Sequence, residues 1–137
     1  MTMQIISREN IHLFEQLVPA LERPLTKTSL GKYWNIQTLY DNIVNYSAYG
    51  FYQEQTGYAG AFVIANSPLR RTLNIFWAGK DLTNKTPIDD DECDRFFMAC
   101  AKHFECNSIA IKGRKGWEKM AARRGYLEDS RVYIKEV

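Results

Sequence analysis

The stretch that decides the fold is residues 108–137, SIAIKGRKGWEKMAARRGYLEDSRVYIKEV. Its pattern predicts a short buried strand over 108–112, a glycine-flanked turn, a helix from Trp117 to Arg124, and a last strand over 132–134. Gly125 follows the helix at the position where a left-handed C-terminal cap is common. A parallel strand that leads into a short helix can splay from its neighbour, so this stretch predicts a cleft in the sheet.

The helix just before this stretch has the clearest pattern in the chain. Apolar residues recur at helical spacing over 93–104, and residues 108–112 follow after a stop at Asn107. A helix that joins two strands of one sheet is a crossover connection, so the strands on either side of it should be parallel. The apolar positions are Cys93, Phe96, Phe97, Cys100, Ala101 and Phe104.

The remaining sequence predicts a strand over 3–7, two helices, and three strands. The first helix begins at Asn10, is kinked or ended near Val18 by Pro19, and is closed by Pro24. Residues 25–33 are expected to be a loop, and the second helix runs from about Asn35 to the Tyr49-Gly50 pair. Strands at 51–55, 58–65 and 71–78 are expected to form an antiparallel meander.

The predicted fold class is therefore α+β (α/β), with a mixed central sheet in the order β-α-α-β-β-β-α-β-α-β. The chain has 137 residues, of which 45% are hydrophobic, and this suits a single domain over residues 1–137. No apolar run is long enough to span a membrane, and the start of the chain lacks the pattern of a signal peptide, so we expect a cytoplasmic location.

Charge and cysteine content limit the partners. The formal net charge of +2 is too small to indicate a nucleic-acid partner. The three cysteines include no Cys-x-x-Cys pair, so we expect no metal site, and we expect Cys93 and Cys100 to be buried. An acidic cluster over 89–94 lies where a helix should begin and would complement its dipole. A basic cluster over 112–124 suits either a solvated helix face or an anion-binding rim.

The order of elements resembles the GNAT fold of N-acetyltransferases over nearly the whole chain. The RGY at 124–126 looks like the Gly-Phe or Gly-Tyr at the end of that family's last helix. The GRKGW at 113–117 is similar to small acetyltransferase-like proteins of tailed bacteriophages, some of them internal virion or ejection proteins. The resemblance implies a GNAT domain, and acetyl-CoA as the cofactor of any active member.

The segment that would hold the cofactor departs from the family pattern. The family binds the diphosphate of acetyl-CoA with backbone N–H groups at a helix start, in a glycine-rich turn. The corresponding residues 79–91 lack that glycine spacing and place Asp89, Asp90 and Asp91 where the phosphates would bind. Carboxylates repel phosphates, so the active site is expected to be degenerate.

The residues for proton transfer are also missing. Ala121 stands four residues before Gly125, where many family members have a tyrosine as general acid. Tyr126 or Tyr133 could substitute, although both fit better as packing aromatics, and Glu54 is the nearest candidate for a base. We therefore identify no catalytic residue. If the protein is active, the candidate cofactor-binding residues are Trp77, Gly79, Lys112, Gly113 and Arg114.

Two functions follow from these observations. The first is a non-catalytic GNAT-fold protein that acts in assembly or binds protein partners, and its concrete form is an internal virion protein of a bacteriophage. In that case no cofactor is expected and the partners are other virion proteins. The alternative is an N-acetyltransferase that moves an acetyl group from acetyl-CoA to an amine. The oligomeric state is not predicted by the sequence.

Overall fold

The computed structural model describes residues 2–113 and 117–137, and a five-stranded sheet lies at its centre. The spatial order of the strands equals their order in the chain, and the first four are antiparallel neighbours, while β5 pairs parallel with β4. The predicted meander and the predicted parallel pair are both confirmed. The strands are β1 (Met3–Ile6), β2 (Tyr49–Gln53), β3 (Tyr58–Asn66), β4 (Arg71–Lys80) and β5 (Ser108–Ile111).

The described residues also form four α-helices and two 3-10 helices. The 3-10 helices are Arg8–Leu17 and Ser29–Lys32, and the α-helices are α1 (Val18–Lys27), α2 (Ile36–Val44), α3 (Asp90–His103) and α4 (Glu118–Arg123). Local sequence explains where two of them begin. The Asn35 side chain accepts a hydrogen bond from the Thr38 N–H at 2.8 Å and caps α2. Asp89 caps α3 in the same way.

Two hydrophobic clusters fill the space between the sheet and the helices. The first joins α1 and α2 to the sheet and contains Leu21, Ile43 and Trp77. The second joins α3 to the sheet and contains Phe51 and Phe97. The predicted burial of Cys93 and Cys100 in the second cluster is confirmed, and burial raises the pKa of these thiols to about 12 and about 11. Both thiols are therefore protonated at neutral pH and act as apolar packing groups.

The break predicted near Val18 is present, because a 3-10 helix ends at Leu17, whereas the predicted effect of Pro24 was wrong. α1 begins at Val18, so Pro19 lies in its first turn, where its missing N–H has no intrahelical partner to lose. Pro24 does not close the segment but lies inside α1, which continues to Lys27. Because Pro24 has no N–H, it leaves the Ala20 carbonyl without its usual partner four residues later.

Three further boundaries differ from the sequence-based expectation. Residues 25–33 are not a plain loop, because they contain the end of α1 and the second 3-10 helix. The Tyr49-Gly50 pair begins β2, and α2 ends earlier, at Val44. The last predicted strand, over 132–134, does not form: the described residues after α4 have no regular secondary structure. A strand needs a hydrogen-bonding neighbour, and in the described part of the chain this segment has none.

The helices of the described residues are short and amphipathic. None of them has the length and the apolar composition that crossing a membrane requires.

Candidate functional site

The sheet opens where β4 and β5 separate. Their pairing ends at Ile75 opposite Ile111, and the Lys112 N–H adds one hydrogen bond to the Ile75 carbonyl oxygen at 3.0 Å. Beyond this point β4 continues over residues 76–80 and pairs only with β3. The splay predicted from residues 108–137 is therefore present, and among the described residues no strand pairs with this edge of β4.

A β-bulge lies at the same point. On β3, Phe62 is opposite Ile75 and Ala61 is opposite Trp77, so Phe76 is an extra residue with no partner in the register. A bulge re-aims the residues that follow it and is common beside functional sites. Here it turns Trp77 toward the α1 and α2 layer, whereas Ile75 faces the α3 layer.

The backbone beyond the bulge can bind an extended ligand. The Asp81 N–H donates to the Gly57 carbonyl oxygen at 2.9 Å, on the β3 side of β4. Since neighbouring residues of a strand direct their backbone groups to opposite edges, those of Ala78 and Lys80 face the open edge. A molecule with amide groups can pair with such an edge in the way that an added strand does.

A small cavity lies between α3 and α4 beside the splay. Ile75 and Ile111 line one side, Cys93 lines the α3 side, and Trp117 and Tyr126 lie across from them. Its volume of about 50 Å³ has room for water but not for an acyl chain. Burial raises the pKa of the Tyr126 phenol to about 12, so that the phenol keeps its proton at neutral pH.

The wall formed by α4 is weakly held. α4 has no buried residue, and its C-terminal neighbour Arg124 forms an ion pair with Asp91 of α3, with Nη1 2.7 Å from Oδ1. A surface ion pair of this kind contributes only about 0.2–1 kcal/mol. Trp117 and Met120 of this wall are half-buried and line the cavity, so moving α4 outward would widen the cavity at the cost of their contacts.

The start of α3 is poorly suited to a diphosphate. The Asp89 carboxylate already accepts the Glu92 N–H at 3.1 Å, and this hydrogen bond lowers the pKa of Asp89. The backbone of Asp89 is hydrogen-bonded as well, because its N–H donates to Oε1 of the Gln53 side chain at 3.0 Å. Asp90 and Asp91 add negative charge in the first turn. The open β4 edge thus offers backbone hydrogen-bonding groups, whereas the start of α3 presents carboxylates, which repel phosphates.

The sequence-predicted site residues have separate positions in the structure. Trp77 is 1% exposed, and its indole N–H donates to the Leu21 carbonyl oxygen at 3.0 Å, so its side chain is part of the core. A close approach to the Gly79 backbone is present, as predicted, and the approaching group belongs to α1. A Cβ on Gly79 would lie 2.0 Å from the Ala20 carbonyl oxygen. A role of either residue in binding a cofactor stays a prediction.

The other three candidates follow β5. Lys112 and Gly113 are exposed at the end of that strand, beside the splay, and the Trp117 ring packs on the Gly113 backbone. Arg114 lies outside the described residues. Of the residues considered for proton transfer, Glu54 is exposed on the surface and Ala121 is half-buried, while Tyr126 reaches the cavity.

Sequence reasoning missed the bulge. Leu73, Ile75 and Trp77 alternate as in a regular strand, but Trp77 packs on the opposite side of the sheet from the other two. A signal was present in the run Ile75-Phe76-Trp77, because three consecutive large apolar residues do not fit the two-residue period of a strand. Phe76 packs on the ring of Trp34, with ring centroids 4.8 Å apart.

Several solved structures with this architecture are acetyltransferases or probable acetyltransferases. A probable acetyltransferase superposes with a TM-score of 0.68 and 9% sequence identity, covering 100% of this chain and 98% of that chain. A ribosomal-protein-alanine N-acetyltransferase from Brucella melitensis biovar Abortus 2308 gives a TM-score of 0.67 and 8% identity, with 99% and 98% covered. An aminoglycoside N-acetyltransferase in complex with CoA gives 0.64 and 10%, with 99% and 95% covered.

These similarities show that the chain has the GNAT fold, as the element order predicted. At such low identity they show the fold alone. No family model matches the sequence. No curated protein matches it significantly either.

Proposed function

We propose that the protein is an N-acetyltransferase, which takes an acetyl thioester, acetyl-CoA, along the open edge of β4 and transfers the acetyl group to an amine. The observation that carries the proposal is that the β-bulge at Phe76 coincides with the end of the pairing between β4 and β5. The fold of the compared acetyltransferases, one of them in complex with CoA, supports it. This favours the enzymatic alternative of the sequence analysis over its non-catalytic reading.

The residues beside the splay have simple roles in this proposal. The backbone groups of Ala78 and Lys80 hold the arm of the donor and orient its thioester toward the bulge. The bound donor supplies an activated acetyl carbon. The amine nitrogen bonds to this carbon and gives up a proton to water, the carbon–sulfur bond breaks, and the departing sulfur takes a proton. Two described tyrosines line the cavity, Tyr58 and Tyr126, and burial raises the pKa of both, so either hydroxyl keeps a proton to give at neutral pH.

Calorimetry with two donors tests the proposal. Because the start of α3 carries carboxylates instead of a phosphate cradle, we expect acetyl-CoA to bind no more than about tenfold more tightly than S-acetyl-pantetheine, which lacks the nucleotide. Acetyl-CoA binding that is far stronger than this would show that the phosphates are held. If neither donor binds at about 1 mM, where a weak site of about −4 kcal/mol would be half filled, the proposed function is wrong.

A charge substitution tests the role of the acidic helix start. Asp90 is an exposed first-turn residue that lines the cavity. We expect Asp90→Asn to tighten acetyl-CoA binding by about twofold to fivefold, because it removes one repulsive charge worth about 0.5–1 kcal/mol near the phosphates. The matched control is Glu105→Gln, which removes an exposed carboxylate just after the other end of α3 and should leave the affinity unchanged. An equal effect of both substitutions would indicate that the change in net charge, and not the position of Asp90, alters the affinity.

A second function has its own support. The acidic start of α3 and the presence of Ala121 in place of a tyrosine favour a protein that kept the fold but not the reaction. Its role would be assembly or the binding of a protein partner. Its identification as an internal virion protein of a bacteriophage stays a prediction. The absence of donor binding in the calorimetry, together with a normal fold, would favour this function.

A further inference from the structure

The outer edge of β5 is available for another strand. β5 is the last strand of the sheet, and among the described residues β4 is its only neighbour. The Lys112 N–H points toward β4, so by alternation the backbone groups of Ile109 and Ile111 face the outer edge. An exposed edge with unpaired N–H and C=O groups is a template for pairing with another chain, and natural proteins usually cover it.

The segment after α4 has the character of such a strand. Val132, Tyr133 and Ile134 are β-branched or aromatic residues, which favour strands. All three side chains are exposed, by 77%, 85% and 63%. A run of three large apolar side chains in contact with water marks an interaction site more often than a finished surface. Among the described residues, the segment has no hydrogen-bonding neighbour and the outer edge of β5 has no partner strand.

Within one chain this segment does not run along β5. Glu136 lies 3.9 Å from the Nζ atom of Lys32, on the 3-10 helix that packs against α1. α1 in turn packs over β4 and β3, so the contact draws the end of the segment across the sheet instead of along β5. Both side chains of the ion pair are largely exposed, so it holds the segment only weakly. Breaking this ion pair, so that the segment can pair with another molecule, therefore costs little free energy.

We propose that residues 131–135 of a second copy of this chain add to the outer edge of β5, so that two copies exchange these segments in a symmetric dimer. The arrangement closes on itself, because each copy gives one segment and covers one edge. Val132 and Ile134 lie on one face of an extended segment and can extend the apolar layer that already contains Ile109 and Ile111. This inference concerns assembly and does not depend on acetyl-CoA binding.

Light scattering coupled to size-exclusion chromatography tests the proposal on the full chain. At about 100 µM, where a dimer with a micromolar dissociation constant is almost fully formed, we expect twice the mass of one chain. The double change Val132→Asp and Ile134→Asp should halve this mass, because it places carboxylates in the added strand. Its matched control is Leu127→Asp, a change at an equally exposed apolar residue outside the strand, which should leave the dimer intact.

Circular dichroism of each variant shows whether its fold is retained, which we expect because the changed side chains are exposed. If the double variant does not fold, Tyr133→Pro is the second variant, since it removes a backbone N–H from the added strand and should also halve the mass. A wild-type protein that is monomeric at this concentration overturns the proposal. A dimer that survives the variants at 132–134 overturns it as well, because its interface then lies elsewhere.

Discussion

Replacing Gly79 by alanine is expected to lower the free energy of unfolding by about 3 kcal/mol or more. The new Cβ would lie 2.0 Å from the carbonyl oxygen of Ala20 and 2.8 Å from Cγ of Pro24. The first of these is a backbone atom of α1, so it cannot rotate away as a side chain would. The whole helix must shift from β4, and the tight packing around Trp77 is lost with it. Chemical denaturation followed by circular dichroism measures the change.

A second glycine provides the matched control. Gly125 follows α4 with φ +86°, and a Cβ there would meet no atom within 4 Å. Gly125→Ala should therefore cost only the strain of the left-handed backbone, about 1–2 kcal/mol. If Gly79→Ala lowers the free energy of unfolding by less than Gly125→Ala does, α1 does not pack closely on Gly79 of β4. A Gly79→Ala variant of normal stability that no longer binds acetyl-CoA would instead support the ligand role predicted from the sequence.

The elements that the sequence predicted well are those with a local cause. The helical repeat from Cys93 to Phe104 places one apolar face on the sheet, and the acidic cluster at its start complements its dipole. Asn35 and Gly125 act as caps at the positions where their residue types suggest them. In each case the information lies within a few residues of the feature that it determines.

The features that the sequence did not predict depend on contacts between distant residues. The Ala20 carbonyl, which Pro24 leaves without its usual helical partner, packs closely on Gly79, a residue more than fifty positions later. The ring of Phe76, the extra residue in β4, packs on the ring of Trp34, which lies just before α2. The last predicted strand does not form because residues 132–134 have no neighbour within the described chain. Local patterns carry no information on such partners.

The features of the candidate site also fall into two groups, those that follow from a local sequence pattern and those that do not. The splay and the charge at the start of α3 follow from local patterns, and both were predicted. The backbone edge at Ala78 and Lys80 was not predicted, because any residue type can offer an N–H or a carbonyl. The side chains proposed for cofactor binding, by contrast, include Trp77, whose indole ring is buried in the core and hydrogen-bonded to α1. A site built from backbone groups leaves little trace in a single sequence.

Phe97→Ala is expected to destabilise the protein by about 3–5 kcal/mol, because it removes a buried ring and leaves a cavity in the second hydrophobic cluster. Phe97 is 5% exposed, and its ring meets that of Phe51 edge to face at a centroid distance of 5.0 Å. The new space would join the existing cavity between α3 and α4, which Phe97 already lines, so collapse around it is hard. Guanidinium denaturation measures the loss.

The neighbouring residue on the same helix separates the packing effect from any effect on the helix itself. Met98 is 49% exposed, so Met98→Ala removes little buried surface and should change the free energy of unfolding by less than about 0.5 kcal/mol. Alanine is the best helix former, so neither change weakens the helix itself, and similar losses for the two variants would indicate that the burial of the Phe97 ring does not set the cost. An unchanged midpoint for Phe97→Ala would mean that this face of α3 is not packed on the sheet. The cavity between α3 and α4 would then lose its inner wall, whereas the donor site proposed at the β4 edge would keep its basis, since it rests on the end of the β4–β5 pairing.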